Sequence, residues 1–236
     1  MNTQRVAVVT GANRGIGRAI ATRLLQDGHL VAGLHRSGEV PDGVHSVIAD
    51  LTDPDAVSAA FDAIRKDLGP VGILVANAGI TRDGLLIRMS EEDFGDVLDT
   101  NLTGTFRCVK AAARDMMRAR YGRIVLISSV VATYGGMGQV NYASAKAGLI
   151  GMARSVAREF GARGVTANVV CPGFVETAMT AELPDTVVAR YRERIPAGRF
   201  AQPEEIADAV SYLASEGSGY VNGVVLNVDG GLGMGH

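Results

Sequence analysis

The sequence predicts an α/β fold, a single doubly wound domain over residues 1–236 with a seven-stranded parallel sheet, and three observations predict it. Apolar runs of strand length alternate with stretches of helical spacing. Several runs are apolar on consecutive residues, the mark of strands covered on both faces. A glycine-rich turn follows the first run directly and opens the first helix, the arrangement of a Rossmann domain.

In chain order the expected strands are Val6–Thr10, Leu30–Leu34, Val44–Ala49, Ile73–Ala76, Arg123–Ser128, Val165–Val170 and Val224–Val228. Between them, Gly17–Gln26, Asp55–Leu68, Asp93–Arg120, Tyr142–Phe160 and Glu204–Ala214 carry helical periodicity. Thr177–Phe200, with Pro184, Pro196 and Gly198, is the least regular region. It is read as a substrate lid or an ordinary surface excursion. No linker, repeat or low-complexity tract divides the chain.

Composition narrows the function classes. With 47% apolar and 20% charged residues the chain can build a core. A net charge of −2 and the lack of a long Lys/Arg run argue against nucleic acid as a partner. Cys108 and Cys171 lie far apart without ligand spacing, so neither a disulfide framework nor a zinc site is expected, and His29, His35, His45 and His236 form no cluster. The first apolar segment is too short for a signal core or a membrane span, so the expectation is a cytoplasmic protein without a targeting segment.

Thr10-Gly-Ala-Asn-Arg-Gly-Ile-Gly17 places Gly11, Gly15 and Gly17 as G-x-x-x-G-x-G around Asn13, Arg14 and Ile16. Residues without Cβ atoms allow a tight turn and close approach to a pyrophosphate, which the free N–H groups of the helix start would face. The second strand ends His35-Arg36-Ser37, with no acid until Glu39. An arginine there suits a 2′-phosphate, so NADP(H) is favoured over NAD, the alternative being a solvated side chain. Asp50, closing the third strand beside Leu51, suits the adenine amino group, because Asp53 before Pro54 is the better helix cap.

Tyr142 and Lys146 stand one helical turn apart and share a face. An ammonium beside a phenol stabilises the phenolate, and drawing the phenol from about 10 to about 7 takes roughly 4 kcal/mol. Ser129 follows the fifth expected strand at its carboxyl end, where open α/β sheets bind ligands, and its hydroxyl could hold a carbonyl oxygen beside Tyr142. Ser128, the competing serine, is expected to point the other way.

The glycine turn, Asn77-Ala-Gly-Ile80, Asn101, Ser129, Tyr142-x-x-x-Lys146 and Pro172-Gly173 together make the chain resemble the short-chain dehydrogenase/reductase superfamily over essentially its whole length. Asn101-Leu-Thr-Gly-Thr-Phe106, Tyr121-Gly-Arg-Ile124, Val165-Thr-Ala-Asn-Val-Val170 and Val228-Asp-Gly-Gly-Leu-Gly-Met-Gly-His236 look most like its beta-ketoacyl-acyl carrier protein reductases, in particular the actinobacterial ones. The resemblance implies that Tyr142 donates a proton to the carbonyl oxygen, Lys146 lowers the Tyr pKa and holds the nicotinamide ribose, and Ser129 polarises the carbonyl. It implies that Asn101 holds a water in the proton relay, and that Asn77, Ala78 and Gly79 line the adenosine ribose. Pro172, Gly173, Val175 and Thr177 would then border the nicotinamide.

The same resemblance implies reduction of a 3-oxoacyl thioester in fatty-acid elongation, with Arg120 and Arg163 near the pocket entrance engaging an acidic acyl carrier protein. It also implies a homotetramer packed through the helices Asp93–Arg120 and Tyr142–Phe160, to which Met116, Met117, Ala143, Ala145 and Ala147 are suited, though they suit an intrachain core equally. Cys171 departs from the family's usual Ala or Ser and should pack as a small hydrophobe. The alternatives are a polyketide ketoreductase, a reductase of acetoacetyl-CoA, quinones or other small ketones, and more remotely a non-enzymatic dinucleotide-binding regulator.

Overall fold

The computed structural model describes residues 3–177, 180 and 185–234. Seven strands form one sheet in the order β3-β2-β1-β4-β5-β6-β7. They are β1 Val6–Thr10, β2 Leu30–His35, β3 His45–Ile48, β4 Val71–Ala76, β5 Gly122–Ile127, β6 Val165–Pro172 and β7 Val225–Val228, and every neighbouring pair is parallel. The order reverses between β1 and β4, which opens a crevice at their carboxyl ends.

Continuous apolar runs make sense once both faces are covered. Val8, Leu74, Ile124 and Leu126 pack on one side against Phe61, Cys108, Met116 and Leu149. Their neighbours Ala7, Val9, Ile73, Val75 and Val125 pack on the other side against Ile20, Leu24, Ile206 and Val210. The first layer comes from α2 (Pro54–Asp67), α4 (Gly104–Ala119) and α6 (Val140–Phe160), which the short α5 (Val131–Tyr134) precedes, and the second from α1 (Gly15–Gln26) and α8 (Pro203–Ala214). Asp53 caps α2, its Oδ1 accepting from the Asp55 and Ala56 amides at 2.8 and 3.1 Å ahead of Pro54, as the sequence suggested.

The segment expected as one helix over Asp93–Arg120 is three pieces. Ser90 caps α3 (Glu91–Leu98), a π-helical turn follows at Asp99–Thr103, and α4 then begins at Gly104. The turn is closed by the Gly104 amide on the Asp99 carbonyl, a residue further back than in an α-helix. Met116 and Ala145 belong to the buried core rather than to an outer face. Within the irregular Thr177–Phe200 region, α7 (Asp185–Arg194) had no signal in the sequence. It docks through Tyr191 on Phe174, ring centroids 4.1 Å apart, and through Arg194 on the Tyr134 hydroxyl at 2.7 Å. The rest of that expected lid, residues 178, 179 and 181–184, lies outside the described residues. No helix among the described residues is long and apolar enough to cross a membrane.

Candidate active site

The carboxyl edge of the sheet gathers most of the residues singled out above. Thr10, last residue of β1, ties the turn to β4: its hydroxyl accepts from the Asn77 and Ala78 amides at 3.0 and 2.9 Å, and its carbonyl accepts from Asn77 Nδ2 at 3.0 Å. Gly11 and Gly15 have positive φ, at 70° and 50°, a conformation that favours glycine. Asn13 Nδ2 donates to the Ser37 carbonyl at 2.9 Å, joining the turn to the loop that carries Arg36.

Helix α1 begins without a side-chain cap, whereas Asp53, Ser90 and the Gln202/Glu205 box cap α2, α3 and α8. The first-turn amides behind Arg14, those of Gly15, Ile16 and Gly17, are therefore offered to an outside anion. Thr177 sits above this turn, its Cγ2 3.6 Å from where a Gly15 Cβ would be. The residues thus fit a dinucleotide: a tight glycine cradle, an uncapped helix start and a cation at the end of β2.

Arg36 is exposed, with Nη1 3.9 Å from Asp50 Oδ2. Asp50 is less free than expected. Its Oδ1 already accepts from the Thr52 amide and hydroxyl at 2.9 and 2.8 Å, so only Oδ2 is left for a ligand, and these bonds with Arg36 nearby hold its carboxyl below the usual range.

At the other end of the crevice, Ser129 follows β5, its hydroxyl accepting from the Val131 amide at 3.4 Å and lying close enough to the Tyr142 phenol to oppose its upward shift. Ser128 turns away as anticipated, donating to the Lys146 carbonyl on α6 at 2.8 Å. Lys146 is buried; its Nζ donates to the Ile127 carbonyl at 2.7 Å and lies 5.6 Å from the centroid of the Tyr142 ring. Asn101 is fully buried in the π-helical turn and brackets one residue, Oδ1 accepting from the Ile80 amide at 2.8 Å and Nδ2 donating to the Ile80 carbonyl at 2.9 Å. Gly79 keeps Asn101 and Lys146 together: a Cβ there would stand 3.1 Å from Asn101 Oδ1 and 3.5 Å from Lys146 Nζ. Ser129, Tyr142, Lys146, Asn101 and Gly79 therefore share one neighbourhood.

Two expectations need correction. Lys146 does not draw the Tyr142 phenol down: burial pushes it up to about 12, with Asp83 and Cys171 adding to the rise and only the Ser129 hydroxyl opposing it. The same burial pushes Lys146 down to about 8. Second, Arg120 and Arg163 precede β5 and β6, at the amino edge of the sheet, so they do not border their own chain's entrance. Arg120 is left-handed, with φ 51°, and donates to the Ala162 carbonyl at 3.2 Å.

One functional-edge residue was missed. Asp229, buried after β7, accepts from the Gly231 and Gly233 amides at 2.9 and 2.8 Å, and its Cα stands 2.8 Å from where a Gly173 Cβ would be. Only the unusual glycine density after Asp229 could have signalled it. It supports Pro172-Gly173 from behind, while Val175 is pinned by a bridge to Ala201.

These protonation states set a pH dependence. A phenol near 12 is neutral at pH 7 and so carries the proton a donor needs, while an ammonium near 8 is still charged. Because the lysine's folded value is lowered, its charge is present below about 8 and lost above it. The expected result is a reductive kcat that declines as pH rises through about 8, read from a kcat–pH profile. A profile flat across that window would show that the Lys146 charge is not used.

An uncapped glycine turn at one end of the crevice and a Ser–Tyr–Lys set at the other define a dinucleotide-binding protein of the doubly wound class. Residues 11–233 match the family model described as Enoyl-(Acyl carrier protein) reductase. The chain belongs to the short-chain dehydrogenase/reductase family. It is 53% identical over 232 residues to the 3-oxoacyl-[acyl-carrier-protein] reductase MabA of Mycobacterium avium, covering 98% of this chain and 91% of that one. It is 50% identical to the MabA reductase of Mycobacterium tuberculosis, with 98% and 94% covered. Against the 3-oxoacyl-[acyl-carrier-protein] reductase FabG of Escherichia coli it is 47% identical over 238 residues, with 98% of each chain covered.

Proposed function

We infer that this chain is an NADPH-dependent oxidoreductase that reduces 3-oxoacyl groups carried on acyl carrier protein to 3-hydroxyacyl groups in fatty-acid biosynthesis. The observation that carries the reading is the placing of the Ser129 hydroxyl beside the Tyr142 phenol at the carboxyl end of β5, one helical turn from the buried Lys146 ammonium. Two hydroxyls converging on one point are what a ketone oxygen needs as it gains negative charge.

When bound, NADPH supplies the hydride. Ser129 orients the carbonyl, and neutral Tyr142 gives its proton to the oxygen. Lys146 has two N–H groups left beyond the Ile127 carbonyl, which serve the nicotinamide ribose. Asn101 positions the relay behind Lys146. Gly11, Asn13, Arg14, Gly15, Ile16 and Gly17 hold the pyrophosphate, Arg36 the 2′-phosphate, and Asp50 Oδ2, Leu51, Asn77, Ala78 and Gly79 the adenosine. Pro172, Gly173, Val175 and Thr177 line the nicotinamide side. Residues 1–236 act as one domain in the cytoplasm, and four copies assemble, with the half-exposed Phe106 of α4 at their contacts. Carrier docking is not assigned to Arg120 and Arg163 at their own chain's entrance.

The test is a spectrophotometric comparison of acetoacetyl, longer 3-oxoacyl and enoyl thioesters, each with NADPH and NADH. The 3-oxoacyl thioesters with NADPH should be turned over fastest. The enoyl thioester serves as the control for the reaction named in the family description, and its preference over both 3-oxoacyl substrates would overturn the reading.

A further inference from the structure

Arg107 touches both the loop after β3 and the π-helical turn of Asn101. It lies two turns into the helical path from Asp99, its side chain mostly buried. Its Nη1 donates to the Leu51 carbonyl at 2.8 Å and to Asp99 Oδ1 at 2.9 Å. Asp99 opens the π-helical turn whose third residue is Asn101. The contact is close on the backbone side as well: a Cβ on Gly104 would stand 2.9 Å from Leu51 Cβ and 3.2 Å from the Leu51 carbonyl oxygen. Gly104, by lacking one, lets the turn seat directly on Leu51.

Each end of this clamp leads to a different part of the site. Leu51 is adjacent to Asp50, whose carboxylate faces Arg36. Asn101 brackets the backbone N–H and C=O of Ile80 beside Gly79 and Lys146. A π-helical turn is a costly departure from α-helix that persists where its surroundings hold it, and a charge-assisted bond to Asp99 with a second to a backbone carbonyl does so here.

We propose that Arg107 is a positioning residue that ties the adenosine end of the crevice to the turn carrying Asn101, so that cofactor affinity and the seating of Asn101 beside Lys146 depend on one guanidinium. The proposal rests on the reductase site described above. Arg107 touches no reacting atom; it acts through Leu51 at one end and Asn101 at the other.

The experiment compares Arg107→Met, Arg107→Lys, Asp99→Asn, Asn101→Ala and the Arg107→Met/Asn101→Ala double variant in the full chain. Readouts are melting temperature, NADPH Kd by cofactor fluorescence, and kcat with an acetoacetyl thioester. Methionine keeps the stem and removes both bonds. It should lower kcat about tenfold and weaken NADPH about fivefold, as loss of charge-assisted bonds that couple two sites implies. Both bonds leave the one nitrogen Nη1, and lysine, whose ammonium ends one atom short of it, should recover only part of the two losses. Asp99→Asn should reduce kcat while leaving NADPH affinity unchanged, because the Leu51 contact survives.

In the double variant kcat should equal that of Asn101→Ala alone, since the arginine acts on turnover through that residue, while NADPH affinity stays weakened. Arg107→Met with a lower melting temperature but parental kcat and Kd would reduce the clamp to plain structure and overturn the proposal. Multiplicative losses of kcat in the double variant would overturn it too. If Asn101→Ala keeps parental turnover, the reading of Asn101 fails, and a parental NADPH Kd in Arg107→Met then decides against the clamp.

Discussion

Tyr142→Phe should lose turnover by roughly a thousandfold while NADPH binding stays close to parental, within the range that a positioned proton donor contributes. A thousandfold is about 4 kcal/mol of barrier. The change removes one oxygen and leaves the ring against Lys146, so the fold has no reason to respond. What disappears is the proton itself: the phenol, kept neutral by burial, is the acidic group beside Ser129. Ser129 can still donate to a ketone oxygen in the variant, so some polarisation survives, and adding Ser129→Ala to Tyr142→Phe should cost far less than the single losses multiplied. Stopped-flow or steady-state oxidation of NADPH with an acetoacetyl thioester gives kcat, and cofactor fluorescence gives Kd. A phenylalanine variant with parental kcat would remove Tyr142 from the chemistry.

The residues that could be read in advance are those whose job is local. Asp53 before Pro54 writes its own cap, and the spacing of Gly11, Gly15 and Gly17 follows from one turn between one strand and one helix. The central strands were legible because they are buried on both faces, so burial replaces alternation with runs such as Ile73–Ala76. What escaped was set by distant partners. One extra residue in a helical path does not disturb apolar spacing enough to reveal the π-helical turn, which depends on Ile80, Leu51 and Arg107. Helix α7 is too polar to show a stripe and is held by Phe174 and Tyr134 from other segments. The direction of the Tyr142 shift was misjudged for the same reason: spacing reveals the lysine nearby, whereas desolvation belongs to the assembled fold.

Gly17→Ala should abolish most cofactor binding, weakening NADPH by about a hundredfold or more and lowering the melting temperature by several degrees. The reason is room rather than backbone conformation. A Cβ at this position would lie 2.1 Å from the Gly11 carbonyl oxygen and 2.5 Å from Asn77 Nδ2. Neither can step aside cheaply, because the first is main chain and the second is held to the Thr10 carbonyl at 3.0 Å. A methyl group must therefore open the glycine turn or part β1 from β4, and overpacking of this kind costs about 1–3 kcal/mol or more. Either movement also displaces the first-turn amides of α1 from the pyrophosphate. Gly95→Ala in α3 provides the contrast: no atom lies within 4 Å of its added Cβ. Replacing a helical glycine by alanine in open space should raise stability by up to about 1 kcal/mol and leave NADPH affinity alone. Thermal melts and NADPH titrations of the two variants side by side separate the effects. If Gly17→Ala melts and binds like the parent, the tight packing of the turn against Asn77 is not what forms the cofactor cradle.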